Sequence, residues 1–143
     1  MEIYNSEYQT INFDKSKSIL SKSWTSKTED FDEKTFSAEV DKIVECAEKY
    51  KAKHILDDTR NFSFTIPIAL QSWVDNEVFP LFIAAGLKKY AIIVSKEFIA
   101  QLSIEQTMEG ETGSQSFEVK YFDNIEEANN WITNHSSSDV SLV

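Results

Sequence analysis

The chain has 143 residues, of which 24 are acidic and 14 are basic, so its formal net charge is −10. A field of that sign repels phosphate backbones, and no cluster of Lys or Arg offsets it locally, so binding to nucleic acid is disfavoured. A hydrophobic content of 41%, with ten Phe and three Trp, predicts one domain with its own core and without a disulfide or metal to hold it.

The first third of the sequence predicts two strands and a helix. The β-prone runs 7–13 and 18–24 are separated by four polar residues, which is typical of an antiparallel hairpin. Asp30 followed by Glu33 resembles a capping box and predicts the start of the first helix. Its core face is predicted from the helical spacing of Phe36, Val40, Ile43, Val44, Ala47 and Tyr50, and Cys46 is expected there as a small core residue.

A second helix is expected after the short buried strand at 54–58. Thr65 or Ser63 would cap it, with Pro67 in its first turn. Pro80 should kink or split this helix near residues 76–79, because its ring clashes with the preceding turn. Gly86 is the expected C-terminal cap.

The remaining sequence predicts two further strand–helix units. The first has a buried strand at 89–94 and a helix at 96–108, and an exposed loop at 109–115 follows it. The second has a half-buried strand at 117–122 and a last helix capped by Asp123 and Glu126. In the 96–108 helix we expect Phe98, Leu102 and Ile99 to face inward. The core face of the last helix is expected from Ile125, Ala128, Trp131 and Ile132. The predicted fold is α/β, with a mixed five-stranded sheet, an N-terminal antiparallel hairpin and βα crossovers. One domain would span 1–134, with a flexible tail at 135–143.

Membrane insertion and secretion are not expected. The N-terminus lacks the basic and apolar regions of a signal peptide, and the most apolar run, "VFPLFIAAGL", is far shorter than the ~20 residues that a membrane span requires. The sequence therefore predicts a cytoplasmic protein.

The most plausible site lies where parallel strands end, because ligand sites of such sheets lie beyond the carboxyl ends of the strands. The loops after the strands at 54–58 and 89–94 carry polar side chains that would converge on one rim: Asp58, Thr59, Arg60, Ser95 and Lys96. Asp57 and Asp58 are adjacent and should point to opposite faces, so they are not a catalytic dyad.

These rim residues allow a structural and a functional interpretation. Arg60 can form a bidentate pair with a carboxylate or phosphate of a ligand, or it can pair with one of the two neighbouring aspartates. Thr59, Ser63 and Thr65 are either caps or phosphoacceptors. Neither histidine, His54 or His135, has a neighbouring Ser and Asp in a triad pattern, and there is no glycine-rich phosphate loop.

Five segments have a recognisable amino-acid sequence: "ILDDTRNFSF", "LQSWV…FP", "AGLKKYAIIVSKE", "AQLSIEQTME" and "YFDNIEEANNWI". Together with the order of elements they resemble the STAS/SpoIIAA-like family, more specifically a small bacterial branch of it. The resemblance implies a mixed sheet with helices largely on one side, and no cofactor. The best-known members are anti-sigma-factor antagonists, which are switched by phosphorylation of a Ser at the start of the helix after the central strand. Relatives of the broad fold include sulfate-transporter domains and lipid-carrying CRAL-TRIO proteins.

The resemblance transfers the scaffold but does not transfer the phosphoacceptor. Antagonists carry an Asp-Ser-Ser-Gly-like turn after a "SF" pair, whereas this chain reads "SFTIP" at 63–67. The acceptor position falls near Pro67, and Thr65 is the closest hydroxyl.

Three function classes follow from the sequence. The leading hypothesis is a non-catalytic regulatory or protein-interaction module, with its contact surface at the 58–67 loop and the following helix and an unidentified protein as partner. The alternative is a carrier or sensor of a small apolar, lipid-like ligand under the kinked second helix, whose excess of large side chains would also suit a homodimer interface. An enzyme, which would use Asp58 with Ser95 or Lys96, is the least favoured.

Overall fold

The protein is described here by a computed structural model, which covers residues 1–134. Its centre is a mixed six-stranded sheet in the order β1-β2-β3-β4-β5-β6. The strands are β1 Glu2–Asn5, β2 Gln9–Asp14, β3 Ile19–Trp24, β4 His54–Asp58, β5 Lys89–Ile93 and β6 Glu118–Phe122. The first three are antiparallel neighbours, and β3 to β6 run parallel. The α/β class and the N-terminal hairpin are as predicted, but the sheet has six strands rather than five, because β1 adds an edge strand that pairs with β2.

Helices cover both faces of the sheet unequally. They are α1 Glu33–Tyr50, α2 Ile68–Trp73, α3 Phe79–Ala85, α4 Phe98–Met108, α5 Glu111–Ser116 and α6 Ile125–Thr133, with a 3₁₀ helix at Ser26–Asp30 and a π-helical turn at Val74–Val78. The larger core lies between one face of the sheet and α1 to α4, and the smaller core lies between the other face and α6. No helix within residues 1–134 is long and apolar enough to cross a bilayer. The predicted tail at 135–143 lies outside the described residues.

Helix α1 begins at a different cap from the predicted one. The side chain of Asp32 accepts a hydrogen bond from the backbone N–H of Thr35 at 2.8 Å, whereas Asp30 belongs to the 3₁₀ helix. Cys46 is half-buried against the larger core, and burial raises the pKa of its thiol. Cys46 was expected within the core and lies half-buried at its edge instead.

Helix α1 also carries a buried carboxylate that ties it to the start of the chain. The side chain of Glu39 accepts hydrogen bonds from the Tyr4 hydroxyl at 3.0 Å, the Ser6 hydroxyl at 3.0 Å and the Gln9 amide at 2.9 Å. These donors come from β1, from β2 and from the turn between them. The edge strand that the sequence did not predict is thus anchored by side chains as well as by its pairing with β2.

The second helix is divided as Pro80 predicts. The π-helical turn at Val74–Val78 lies just before Pro80. The proline ring clashes with the preceding turn of a regular helix, and its missing N–H leaves one backbone carbonyl without its usual helical donor. Gly86 ends α3 with a φ of 110°, as expected for a left-handed cap. The predicted N-terminal cap is wrong: Pro67 occupies that position, and no side chain caps the helix.

Helix α4 faces the opposite way from the prediction. Phe98, Ile99 and Leu102 are 75%, 53% and 43% exposed, while the polar Ser103 and Thr107 are buried. The two hydroxyls can be buried because each donates to a backbone carbonyl of its own helix, at 2.8 Å. Hydrophobicity alone therefore assigns the wrong face to this helix.

Two smaller predictions near the end of the described chain are also wrong. Residues 111–116 form α5 rather than an exposed loop. Helix α6 is capped by the Asn124 side chain, which accepts from the backbone N–H of Glu127 at 2.9 Å, and not by the Asp123–Glu126 pair. Ile125 is 44% exposed at its first turn, whereas Ala128 and Ile132 are buried as predicted.

Candidate functional site

The two loops predicted to form one rim do meet. Strands β4 and β5 are direct neighbours, with Asp58 opposite Ile93. Beyond the strands, the backbone N–H of Thr59 donates to the carbonyl of Ile93 at 3.1 Å, and that of Lys96 donates to the carbonyl of Arg60 at 3.2 Å. The predicted residues on the two loops are therefore close in space.

Arg60 uses its guanidinium on its own loop. Its Nε and Nη2 donate to Oδ1 and Oδ2 of Asp58 at 3.0 and 2.7 Å, and its backbone N–H also donates to Oδ1. Burial raises the pKa of Asp58, but the hydrogen bonds and charge of Arg60 outweigh it, so the net pKa is lowered. A carboxylate held in its ionised form is a poor general acid, so this pair does not provide the acid–base group that an enzyme at this rim would need.

Two of the predicted rim hydroxyls serve the loop itself. The Thr59 hydroxyl is buried and donates to the carbonyl of Ile93. The Ser95 hydroxyl donates to the carbonyl of Phe62 at 2.8 Å. Neither is positioned as a nucleophile with a base beside it, and both fix the loop to β5 and its following turn.

The rest of the 58–67 loop is anchored to two neighbouring elements. The backbone N–H of Ser63 donates to the hydroxyl of Thr28 in the 3₁₀ helix at 2.9 Å, and that of Ile66 donates to the hydroxyl of Ser103 in α4 at 3.0 Å. Thr65 lies exposed between these two anchors. The loop is therefore held in one conformation by its neighbours while Thr65 faces outward.

Exposed apolar side chains flank this loop. The hydrogen bond between Gln71 and Gln106, at 3.0 Å, joins α2 to the last turn of α4, and the hydrogen bond from the Ile66 N–H to Ser103 joins the loop to the middle of α4. Ile68, the first residue of α2, is 69% exposed. We call the set formed by Ile68, Phe98, Ile99 and Leu102 the outer apolar surface.

A second group of functional side chains lies inside the molecule. The Lys22 Nζ lies 2.9 Å from Oδ2 of Asp57, with the two side chains 3% and 8% exposed. The Tyr90 hydroxyl donates to the same oxygen at 2.8 Å, and Nε1 of Trp24 donates to Oδ1 at 3.1 Å. The Lys22 Nζ also lies 4.4 Å from the centroid of the Trp24 ring. We call these four residues the Lys22–Asp57 cluster.

Strand register and burial explain this cluster. Lys22 and Asp57 are register partners on β3 and β4, and both face the larger core. Burial lowers the pKa of the Lys22 ammonium, which the charge and hydrogen bond of Asp57 oppose. Burial, together with the charge of Asp57 and the hydrogen bond to it, raises the pKa of Tyr90 well above 10.0. The result is a buried ion pair with a tyrosine that stays neutral.

A cavity of about 70 Å³ lies directly against this cluster. Its remaining wall is mostly apolar and comes from the sheet and from the helices that cover it, including Val40, Val78, Phe82, Ile104 and Met108. Lys22 and Asp57 therefore form a charged end to an otherwise apolar space beneath the kinked second helix.

The sequence contains a signal for this cluster that the prediction did not use. Alternation in "ILSKSW" puts Lys22 on the same face as Leu20 and Trp24, and alternation in "HILDD" puts Asp57 on the face of Ile55. A charge at an inward position needs a partner, and here adjacent strands each carry one, of opposite sign. The interpretation that one aspartate pairs with Arg60 holds for Asp58, whereas Asp57 pairs with Lys22.

Comparison with known proteins adds no identity. No family model matches the chain, and neither a curated protein nor a solved structure matches it. Within residues 1–134 no group of three or more His, Cys, Asp or Glu side chains is arranged to hold a metal ion. The fold defines an α/β protein with a mixed six-stranded sheet, and function has to be argued from its surfaces and its cavity.

Proposed function

We propose that the chain is a non-catalytic regulatory or protein-interaction module on a STAS-like scaffold. Its contact surface comprises the 58–67 loop, the start of α2 and the start of α4. The outer apolar surface carries this proposal. Single exposed apolar residues are ordinary, but four of them on two helices that both contact one ordered loop are typical of a protein contact.

The order of the neighbouring loop also supports a contact surface. Backbone and side-chain hydrogen bonds hold the 58–67 loop to β5, α4 and the 3₁₀ helix. A surface that is already fixed loses little conformational entropy on binding, so more of the contact energy appears as affinity. Arg60, whose side chain is 44% exposed while paired with Asp58, supplies a polar rim beside the apolar residues.

The charge of the chain indicates the chemistry of the partner. With a net charge of −10, the protein attracts positively charged partners and repels acidic ones. The local charges beside the apolar start of α4 are mixed, since Lys96 and Glu97 both lie exposed there, so this expectation depends on the net charge of the chain. The expected partner segment therefore has apolar anchors flanked by Lys or Arg.

A matched pair of surface variants tests the proposal. Phe98→Ser removes the most exposed aromatic anchor, and Ile125→Ser removes an exposed apolar side chain from α6, which packs on the other face of the sheet. Both variants should fold normally. Tagged wild-type and variant proteins are expressed in cells, cross-linked and analysed by quantitative mass spectrometry.

The expected result is a specific partner retained by wild type and by Ile125→Ser but depleted at least tenfold with Phe98→Ser. Arg60→Ala and Thr65→Glu both make the rim of the loop more negative, so both should increase the recovery of the same basic partner. Recovery of identical partners by all five proteins would refute this surface.

A further inference from the structure

We propose that the cavity at the Lys22–Asp57 cluster binds a small neutral molecule with a single hydrogen-bond acceptor, such as dimethyl ether. This inference is independent of the outer apolar surface and adds a ligand to a module that otherwise binds protein. It depends on the geometry of the cavity and on the hydrogen bonds that the cluster already makes.

The position of the cavity first indicates a ligand with an apolar body. Its walls come from α1, from the π-helical turn, from α3 and from α4, and the side chains they contribute are mainly aliphatic and aromatic. π-helical turns occur often at functional sites, and here Val78 of that turn lines the cavity. Apolar walls with few polar groups are the ordinary composition of a small-molecule site.

The hydrogen bonds within the cluster favour a ligand that accepts a hydrogen bond. An ammonium group has three N–H donors. Asp57 takes one donor of Lys22, and the face of the Trp24 ring lies against the same ammonium. Lys22 also borders the cavity, so a ligand oxygen placed there receives a charge-assisted hydrogen bond.

The same hydrogen bonds disfavour a ligand donor. Both oxygens of Asp57 already accept bonds, from Lys22 and Tyr90 on one and from Trp24 on the other. A ligand N–H or ammonium would have to compete with three protein donors for that carboxylate. The cavity therefore favours molecules that accept over molecules that donate.

The charge balance of the cluster disfavours an acid. Lys22 and Asp57 neutralise one another, so a ligand carboxylate would leave a net negative charge in an apolar space, where ionised groups are strongly destabilised. A carbonyl or ether oxygen offers the acceptor without the charge.

Volume limits the size of the ligand. A cavity of roughly 150 Å³ in another protein holds benzene, and this one measures about 70 Å³. By that proportion the ligand has about three non-hydrogen atoms. A ligand of this size reaches a dissociation constant of about 0.5 mM at best, which suits detection by NMR titration.

Three probes of nearly identical shape test the inference on isotopically labelled protein. Dimethyl ether carries the acceptor, propane replaces its oxygen with carbon, and formate has a bent frame of the same size with a negative charge. Amide resonances of β3 and β4 next to the cavity should shift saturably with dimethyl ether. Its dissociation constant should be at least tenfold lower than that of either other probe.

Two variants separate the cavity from the cluster. Val78→Leu fills part of the cavity and should abolish binding of dimethyl ether. Lys22→Met with Asp57→Asn keeps the side-chain volumes but removes both charges, and it should bind dimethyl ether and propane equally. If this double variant does not fold, the comparison of the three probes on wild type decides. Absence of saturable shifts, equal affinity of wild type for ether and alkane, or an ether preference retained by a folded double variant would each overturn the proposal.

Discussion

Replacing Lys22 with Met removes the cation of the buried ion pair. The side chains keep nearly the same length, but Asp57, 8% exposed, loses its cation and retains only the neutral donors of Tyr90 and Trp24. Breaking a buried ion pair by removing one partner costs about 3 to 5 kcal/mol. Because two donors remain on the carboxylate, we expect a loss near the lower end, about 3 kcal/mol, out of a typical stability of about 5 to 15 kcal/mol.

The double variant of Lys22→Met with Asp57→Asn separates the pair from its surroundings. With both charges gone, no buried ion is left unpaired, and its stability should lie within about 1 kcal/mol of wild type. Urea unfolding followed by circular dichroism measures all three single and double variants, with the slope m as the check on two-state behaviour. If each single substitution cost less than about 1 kcal/mol and the two costs simply added, the ion pair would have to be solvated and the cluster as described would be refuted.

Three further predictions concern the rest of the fold. Burial raises the pKa of Tyr121 above 10.0. Its contribution to stability is therefore complete below pH 10 and declines at higher pH, because the side chain of the unfolded protein ionises first. Tyr121→Phe should flatten the alkaline decline of the melting temperature while changing the melting temperature little at pH 7. A Cβ on Gly110 would lie 2.6 Å from the carboxyl group of Asp75, so Gly110→Ala should lower the free energy of unfolding by about 1 to 3 kcal/mol, and an unchanged value would contradict this close approach. Glu39→Ala should cost about 1 to 3 kcal/mol, because it removes the acceptor of the Tyr4 and Ser6 hydroxyls and one of the two acceptors of the Gln9 amide. Hydrogen exchange should then be fastest in β1, and equal protection of β1 in variant and wild type would argue against this anchor.

The sequence predicted those elements that depend on local chemistry. Pro80 marked the break in the second helix and Gly86 marked its end, because the missing N–H of proline and the left-handed backbone of glycine act within one turn. Alternation and apolar runs identified the strands of the parallel half of the sheet. The meeting of the two rim loops followed from adjacent parallel strands.

Two of the incorrect predictions have a tertiary cause. The buried face of α4 includes Ser103, whose hydroxyl is satisfied inside the helix and also accepts from the loop, while Phe98 stays exposed. Strand β1 pairs with β2 and is also anchored by Glu39, some 35 residues further along the chain. Such contacts carry no local periodicity, and the Lys22–Asp57 pair could be found only by aligning the inward charges of two separate strands.

The most direct test of the proposed contact surface is hydrogen exchange, read by mass spectrometry, of the protein alone and in complex with the partner recovered by wild type. We predict slower exchange on binding in the segments 58–70 and 96–103, which contain the 58–67 loop and the starts of α2 and α4, and no change in α6. Protection confined to α6 or to the β1 edge, with those two segments unaffected, would contradict the account.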